Sequence, residues 1–125
     1  MEKKVLIIDD NRISREILEV TLRDALIDAV SASNGNEALE ILENGSYDLI
    51  ILDLILPGLD GYSLLTMLKA NPKTARIPVV ILSGRDSKEE KEEARKLGAA
   101  CYMVKHLVHP TEVLKNVKMY LRDEK

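Results

Sequence analysis

Short unbroken apolar runs alternate with helical stripes along the whole chain. Residues 5–8 (Val-Leu-Ile-Ile), 49–52 (Leu-Ile-Ile-Leu) and 79–82 (Val-Val-Ile-Leu) are too short for helices and lack polar alternation. Such runs read as strands buried on both faces, the kind that fills a parallel sheet. Residues 29–32 are a weaker run, expected at or near a sheet edge, and residues 101–104 (Cys-Tyr-Met-Val) a last strand. Between the runs the period becomes that of a helix. Ile13, Ile17, Leu18 and Leu22, widened by Val20 and Leu26, predict a first helix with a broad apolar stripe. Ala38, Leu39, Ile41 and Leu42 mark a second, stopped by Asn44-Gly45. Tyr62, Leu65, Met67 and Leu68 mark a third, ending before Asn71-Pro72. A fourth helix, residues 88–97, is mostly charged; Ser87 with Glu90 three residues on forms a capping box, and Gly98 ends it. Pro110 suits the first turn of a fifth, carried inward by Val113, Leu114, Val117 and Leu121.

Five successive βα units with no linker or repeat predict one α/β domain over residues 1–125, a doubly wound parallel sheet with helices on both faces. Five units fit the flavodoxin-like strand order 2-1-3-4-5, whose switch point lies between strands 1 and 3. That order brings polar strand ends together. Asp9 and Asp10 close strand 1, Asp53 closes its neighbour strand 3, Ser83 ends strand 4 and Lys105 ends strand 5.

Composition narrows the function. The 125 residues are 46% hydrophobic and 31% charged, with net charge −3 and no basic stripe, which argues against direct nucleic-acid binding. Phe and Trp are absent, so the core is aliphatic and no stacking platform is on offer. The single cysteine, Cys101, excludes an intrachain disulfide and reads as a small buried hydrophobe on a strand. The start shows no signal-peptide pattern and no apolar run approaches transmembrane length, which predicts a cytoplasmic protein without membrane contact.

Taken singly, each polar strand end has an ordinary reading: Asp9 and Asp10 as a cap, Ser83 as a turn, Lys105 as a solvated end. Together they are more specific. Three crowded carboxylates need compensating charge. An all-oxygen set without a His or Cys cluster selects a hard divalent cation, Mg2+. An acceptor carboxylate, an ammonium and a hydroxyl donor complete what phosphoryl transfer needs, because that chemistry is mainly positioning and charge stabilisation.

At this point the chain resembles a receiver domain of bacterial two-component response regulators along essentially its full length. The resemblance is carried by Val5-Leu6-Ile7-Ile8-Asp9-Asp10-Asn11, Asn34-Gly35 through Ala38-Leu39, Tyr47-Asp48-Leu49-Ile50-Ile51-Leu52-Asp53, Leu56-Pro57 with Asp60-Gly61, Ile77-Pro78 through Ser83-Gly84, and Gly98-Ala99-Ala100 through Tyr102 to Lys105. It implies Asp53 as the residue phosphorylated by a histidine kinase or phosphotransfer protein. It further implies that Asp10 would bind Mg2+ directly and Asp9 through water, with the carbonyl of Ile55 as a further ligand. By the same resemblance Ser83 and Lys105 would hold the phosphoryl oxygens, and Tyr102 matches the aromatic that changes rotamer in step with Ser83. The implied role is a phosphoryl acceptor with self-dephosphorylation, not a turnover enzyme, that switches binding to a downstream protein target or output domain. No output domain is legible, so the chain reads as a stand-alone receiver or one piece of a longer regulator.

Rival chemistries fare worse. A haloacid-dehalogenase type hydrolase needs a second Asp two residues after the nucleophile, where Ile55 stands. A flavodoxin-like cofactor binder needs a Gly-rich phosphate loop after strand 1, which is missing. A receiver-like interaction module that signals without phosphorylation is opposed by the intact set of Asp9, Asp10, Asp53, Ser83 and Lys105. One departure from the family is expected to matter. Receivers usually carry a cis proline after the Lys105 position, but here His106 follows. A cis bond before a non-proline costs about 2.5–4 kcal/mol, so a trans bond is expected, with Lys105 still reaching Asp53. His106 and His109 are expected in a surface loop. The altered loop, beside a highly charged fourth helix, predicts a monomer.

Overall fold

The computed structural model describes residues 2–122. Five strands and five helices alternate: β1 Lys4–Ile8, α1 Arg12–Asp24, β2 Asp28–Ala32, α2 Gly35–Glu43, β3 Leu49–Leu52, α3 Gly61–Ala70, β4 Val79–Ser83, α4 Lys88–Lys96, β5 Cys101–Val104 and α5 Pro110–Leu121. All strand pairings are parallel and the sheet order is β2-β1-β3-β4-β5. The flavodoxin-like order expected from the alternation is therefore the one found.

Two apolar layers explain why the central strands read as continuous hydrophobic runs. Alternate residues of each strand face opposite sides. Val5, Ile7, Leu49, Ile51 and Val80 pack with Leu18 and Leu22 of α1 and Val113 and Val117 of α5. Leu6, Ile8, Ile50, Leu52 and Ile81 pack with Ala38 of α2, Leu64, Leu65 and Leu68 of α3, and Ala94 of α4. Each helix starts on a side-chain cap: Asn11, Asn34, Asp60, Ser87 and His109 accept backbone N–H groups of α1 to α5 in turn. His109 thus caps α5 through Nδ1, 3.2 Å from the Thr111 nitrogen, a role not foreseen for a loop histidine. His106 is exposed.

The first helix departs from its expected stripe. Leu18 and Leu22 are buried, but Ile13, Ile17 and Val20 are 69%, 47% and 58% exposed. Neighbouring residues on a helix differ by about 100°, so Ile17 and Leu18 cannot both face the sheet. Ile13, Ile17 and Val20 form a second stripe, on the solvent side. Leu26 lies beyond the helix, 81% exposed, at a φ of +65°. It is the left-handed residue of a Schellman ending, with Leu26 N donating to the Arg23 carbonyl at 2.9 Å and Ile27 N to the Leu22 carbonyl at 3.0 Å.

After β5, residues Lys105–Leu107 wind into one 3-10 turn. Every peptide bond among the described residues is trans, including Lys105-His106. Cys101 is half-buried with Asn116 nearby, and burial pushes its thiol up, which suits a packing residue. No helix among the described residues is long and apolar enough to cross a membrane.

Candidate functional site

The sheet order sets the polar strand ends side by side. Asp53 N donates to the Ile8 carbonyl at 2.9 Å, and Asp9 N to the Ala32 carbonyl at 3.1 Å. Each strand is thus prolonged by one pairing beyond its last residue, which holds both aspartates rigidly at the sheet edge. Both are almost wholly buried, at 3% exposure for Asp9 and 5% for Asp53. Ser83 is fully buried at the end of β4.

Asp9 and Asp53 are built alike. Oδ1 of Asp9 accepts the Asn11 amide at 2.9 Å, and Oδ1 of Asp53 accepts the Ile55 amide at 3.0 Å. The second oxygen of each turns to the same cation. Lys105 Nζ stands 2.7 Å from Asp9 Oδ2 and 3.0 Å from Asp53 Oδ2. Asp10 is the exposed member of the group, and each of the three aspartates offers one oxygen within 4.8 Å of the others'.

The electrostatics are a contest between burial and pairing. Burial pushes the Asp53 carboxyl up, against the Ile55 amide and Lys105, which pull it down; the like charge of Asp9 adds to the rise, and the net is up. Burial pulls the Lys105 ammonium down, but its bonds to Asp9 and Asp53 prevail and the net is up. Protonation of Asp53 would therefore relieve the site.

Five expected residues, Asp9, Asp10, Asp53, Ser83 and Lys105, converge on this edge. Ile55 follows at the rim, 47% exposed, its amide committed to Asp53. Tyr102 sits one strand over, its hydroxyl donating to the Arg85 carbonyl at 2.9 Å. Arg15 was missed: its Nη1 donates to the Asp9 carbonyl at 2.8 Å. A partner for Arg15 on the preceding strand end has no signature in the sequence. Gly61 was legible only as loop punctuation, yet a Cβ there would lie 2.4 Å from Leu54 Cα and 2.9 Å from the Asp53 carbonyl oxygen. The start of α3 is thereby pressed against the backbone that carries Asp53.

Comparison with known proteins agrees with this arrangement. A family model described as response regulator receiver domain matches residues 5–118. The chain is 36% identical over 122 residues to the alkaline phosphatase synthesis transcriptional regulatory protein PhoP of Bacillus subtilis, covering 98% of this chain and 50% of that protein. It is 45% identical over 103 residues to the gliding motility regulatory protein of Myxococcus xanthus, covering 82% of this chain and 13% of that protein. The chain thus spans half the length, or less, of these two curated relatives. Among solved structures, the chemotaxis response regulator CheY4 of Vibrio cholerae matches with a TM-score of 0.89 at 28% identity, over 96% of this chain and 99% of that one. The receiver domain of the Francisella response regulator 1452 matches with a TM-score of 0.88 at 33% identity, over 96% and 97%. The chain belongs to the response regulator receiver domains, the phosphoacceptor modules of two-component signal transduction.

Proposed function

We propose that this receiver domain, comprising residues 1–125, takes its phosphoryl group on Asp53. The observation that carries the reading is the convergence of Lys105, the Ile55 amide and the Asp9 and Asp10 carboxylates on one buried carboxylate at the end of the central strand. A carboxylate oxygen of Asp53 attacks phosphorus, the P–N bond to the donor imidazole breaks, and the imidazole nitrogen keeps that electron pair and takes a proton. Lys105 loses an Asp53 charge and gains a phosphoryl one, so its ammonium remains paired throughout. The Ser83 hydroxyl donates to a phosphoryl oxygen.

The oxygen-only set of Asp9, Asp10 and Asp53, with the Ile55 carbonyl, fits a hard cation of the Mg2+ type, because its ligand atoms already cluster and none is soft. When bound, the metal supplies the positive charge that the crowded carboxylates and the incoming phosphoryl group share. The donor is a histidine kinase or a phosphotransfer protein. The acyl phosphate is lost to in-line water, so the domain is a timed switch, not a turnover enzyme. Ser83 and Tyr102 convey the change to a downstream protein target, and the domain acts in the cytoplasm as a monomer. Light scattering with an acyl-phosphate mimic tests the last point; a dimer would contradict it.

Acetyl phosphate with Mg2+ is the direct test. Intact-mass measurement should show one phosphoryl group on the wild type, none on Asp53→Asn, and none on either after chelation. Undiminished labelling of Asp53→Asn would overturn the assignment. A wild type that takes no label, while still switching a partner, would instead favour a phosphorylation-independent interaction module.

A further inference from the structure

The loop joining β4 to α4 is exposed from Gly84 to Lys88 and buries no apolar side chain. Polar bonds therefore set its shape: Asp86 pairs with Lys91 of α4 at 3.0 Å, and the bonds around Arg85 form a second, connected set. The Arg85 amide donates to Ser83 Oγ at 3.3 Å. The Arg85 carbonyl accepts the Tyr102 hydroxyl at 2.9 Å. The Arg85 guanidinium donates from Nη1 to Glu90 Oε2 at 2.6 Å. Glu90 is held in turn from two sides. Ser87 Oγ accepts the Glu90 amide at 3.0 Å and donates to Glu90 Oε1 at 3.1 Å. Tyr62, on α3, donates its hydroxyl to the Glu90 carbonyl at 3.3 Å.

We propose that Glu90 is a positioning residue for phosphoryl transfer, acting through Arg85 to aim the Ser83 hydroxyl. The inference rests on the reading of Asp53 as acceptor and Ser83 as donor to its phosphoryl group. A hydroxyl has one hydrogen and two lone pairs. The Arg85 amide occupies a lone pair of Ser83 Oγ, so the position of that amide limits the directions left for the hydroxyl hydrogen. Arg85 is fixed at three points, its amide, its carbonyl and its guanidinium, and only the last is bonded to a charged partner. An exposed ion pair adds little to stability. Its effect here is alignment: the Asp86–Lys91 pair also ties the loop to α4, but the Glu90 pair acts on Arg85, the residue bonded to Ser83.

A double-mutant cycle on acetyl-phosphate labelling tests this. Misplacing a group by about 1 Å can cost up to about 100-fold in rate, so a loosened donor should cost less. Glu90→Ala should slow uptake about 3- to 10-fold, with Mg2+ affinity by calorimetry within about 2-fold of wild type. Glu90→Gln, which keeps an acceptor oxygen for Arg85, should recover most of the rate. Ser83→Ala should be slow by itself, and adding Glu90→Ala to it should change nothing more. Unchanged uptake in Glu90→Ala, or a full slowing that persists in the Ser83→Ala background, overturns the proposal while leaving Asp53 as acceptor. No labelling of the wild type overturns the acceptor reading and this inference with it.

Discussion

Lys105→Met isolates the charge that holds the site together before any phosphoryl group arrives. Methionine keeps most of the apolar stem and removes the ammonium. In the structure that ammonium stands 2.7 Å from Asp9 and 3.0 Å from Asp53. The two carboxylate side chains are 4% and 7% exposed, while Lys105 is 25% exposed. With an effective dielectric constant of about 20, unit charges about 3 Å apart attract by about 5–6 kcal/mol before desolvation is charged against them. Removing one partner of a buried pair costs about 3–5 kcal/mol, because the other charge is left uncompensated. Partial exposure of Lys105 reduces this, so the variant should be less stable by about 2–4 kcal/mol at pH 7 in chelator. Urea unfolding followed by circular dichroism reads this as a shift in midpoint.

Two further readings come from the same titration. Mg2+ and the ammonium seek the same carboxylates, so the variant should bind Mg2+ more tightly than wild type. A ligand at 100 times its dissociation constant stabilises by about 2.7 kcal/mol. Saturating Mg2+ should therefore narrow the gap between the two proteins. Acid should narrow it as well, because a protonated Asp53 no longer needs a partner. A variant as stable as wild type in chelator, or a gap that neither Mg2+ nor acid reduces, would refute the view that Lys105 is the compensating charge.

Asp53→Asn should stabilise the metal-free protein at pH 7. The Asp53 carboxyl is raised in the fold, so its contribution is fully present below the unfolded value of about 3.9 and is lost as pH rises through the folded value; the advantage of Asn should shrink toward pH 3.5 in urea melts. Leu26→Gly should raise stability by about 0.5–1 kcal/mol, since a left-handed φ of +65° strains any side chain with a Cβ and Leu26 is exposed; a lower melting temperature would count against it. Gly61→Ala should cost about 3 kcal/mol by thermal or urea unfolding, because its Cβ would meet Leu54 Cα at 2.4 Å and must move either α3 or the backbone after Asp53. Ile55→Asn should shorten the acyl-phosphate lifetime, since isoleucine cannot hydrogen-bond an in-line water and asparagine can; equal decay of the two proteins would remove Ile55 from the timing.

What the sequence made legible was whatever depends on chain order and on runs of one character. Residues 49–52 are apolar at every position because β3 is covered on both faces, and the polar residue that follows such a run has to stand at the sheet edge. Strand order then brought Asp9, Asp53, Ser83 and Lys105 together without any knowledge of a side-chain rotamer. The six apolar positions from Ile13 to Leu26 were harder, because composition does not say which of two stripes the sheet takes; Leu18 and Leu22 won, and Ile13, Ile17 and Val20 were left to solvent. Lys105 was expected to reach Asp53 and does so at 3.0 Å, but contacts between polar side chains away from the strand ends were not legible. Glu90 was visible as a capping residue three positions after Ser87, a purely local pattern, and the structure keeps that role. Its bond to Arg85 depends on where the exposed loop turns, and its tie to Tyr62 depends on how α3 lies beside α4. The local cap places the carboxylate at the start of α4, and that placement is what puts it within reach of the residue bonded to Ser83. A residue chosen for ending a loop can in this way also set the direction of a hydroxyl at the phosphoryl site.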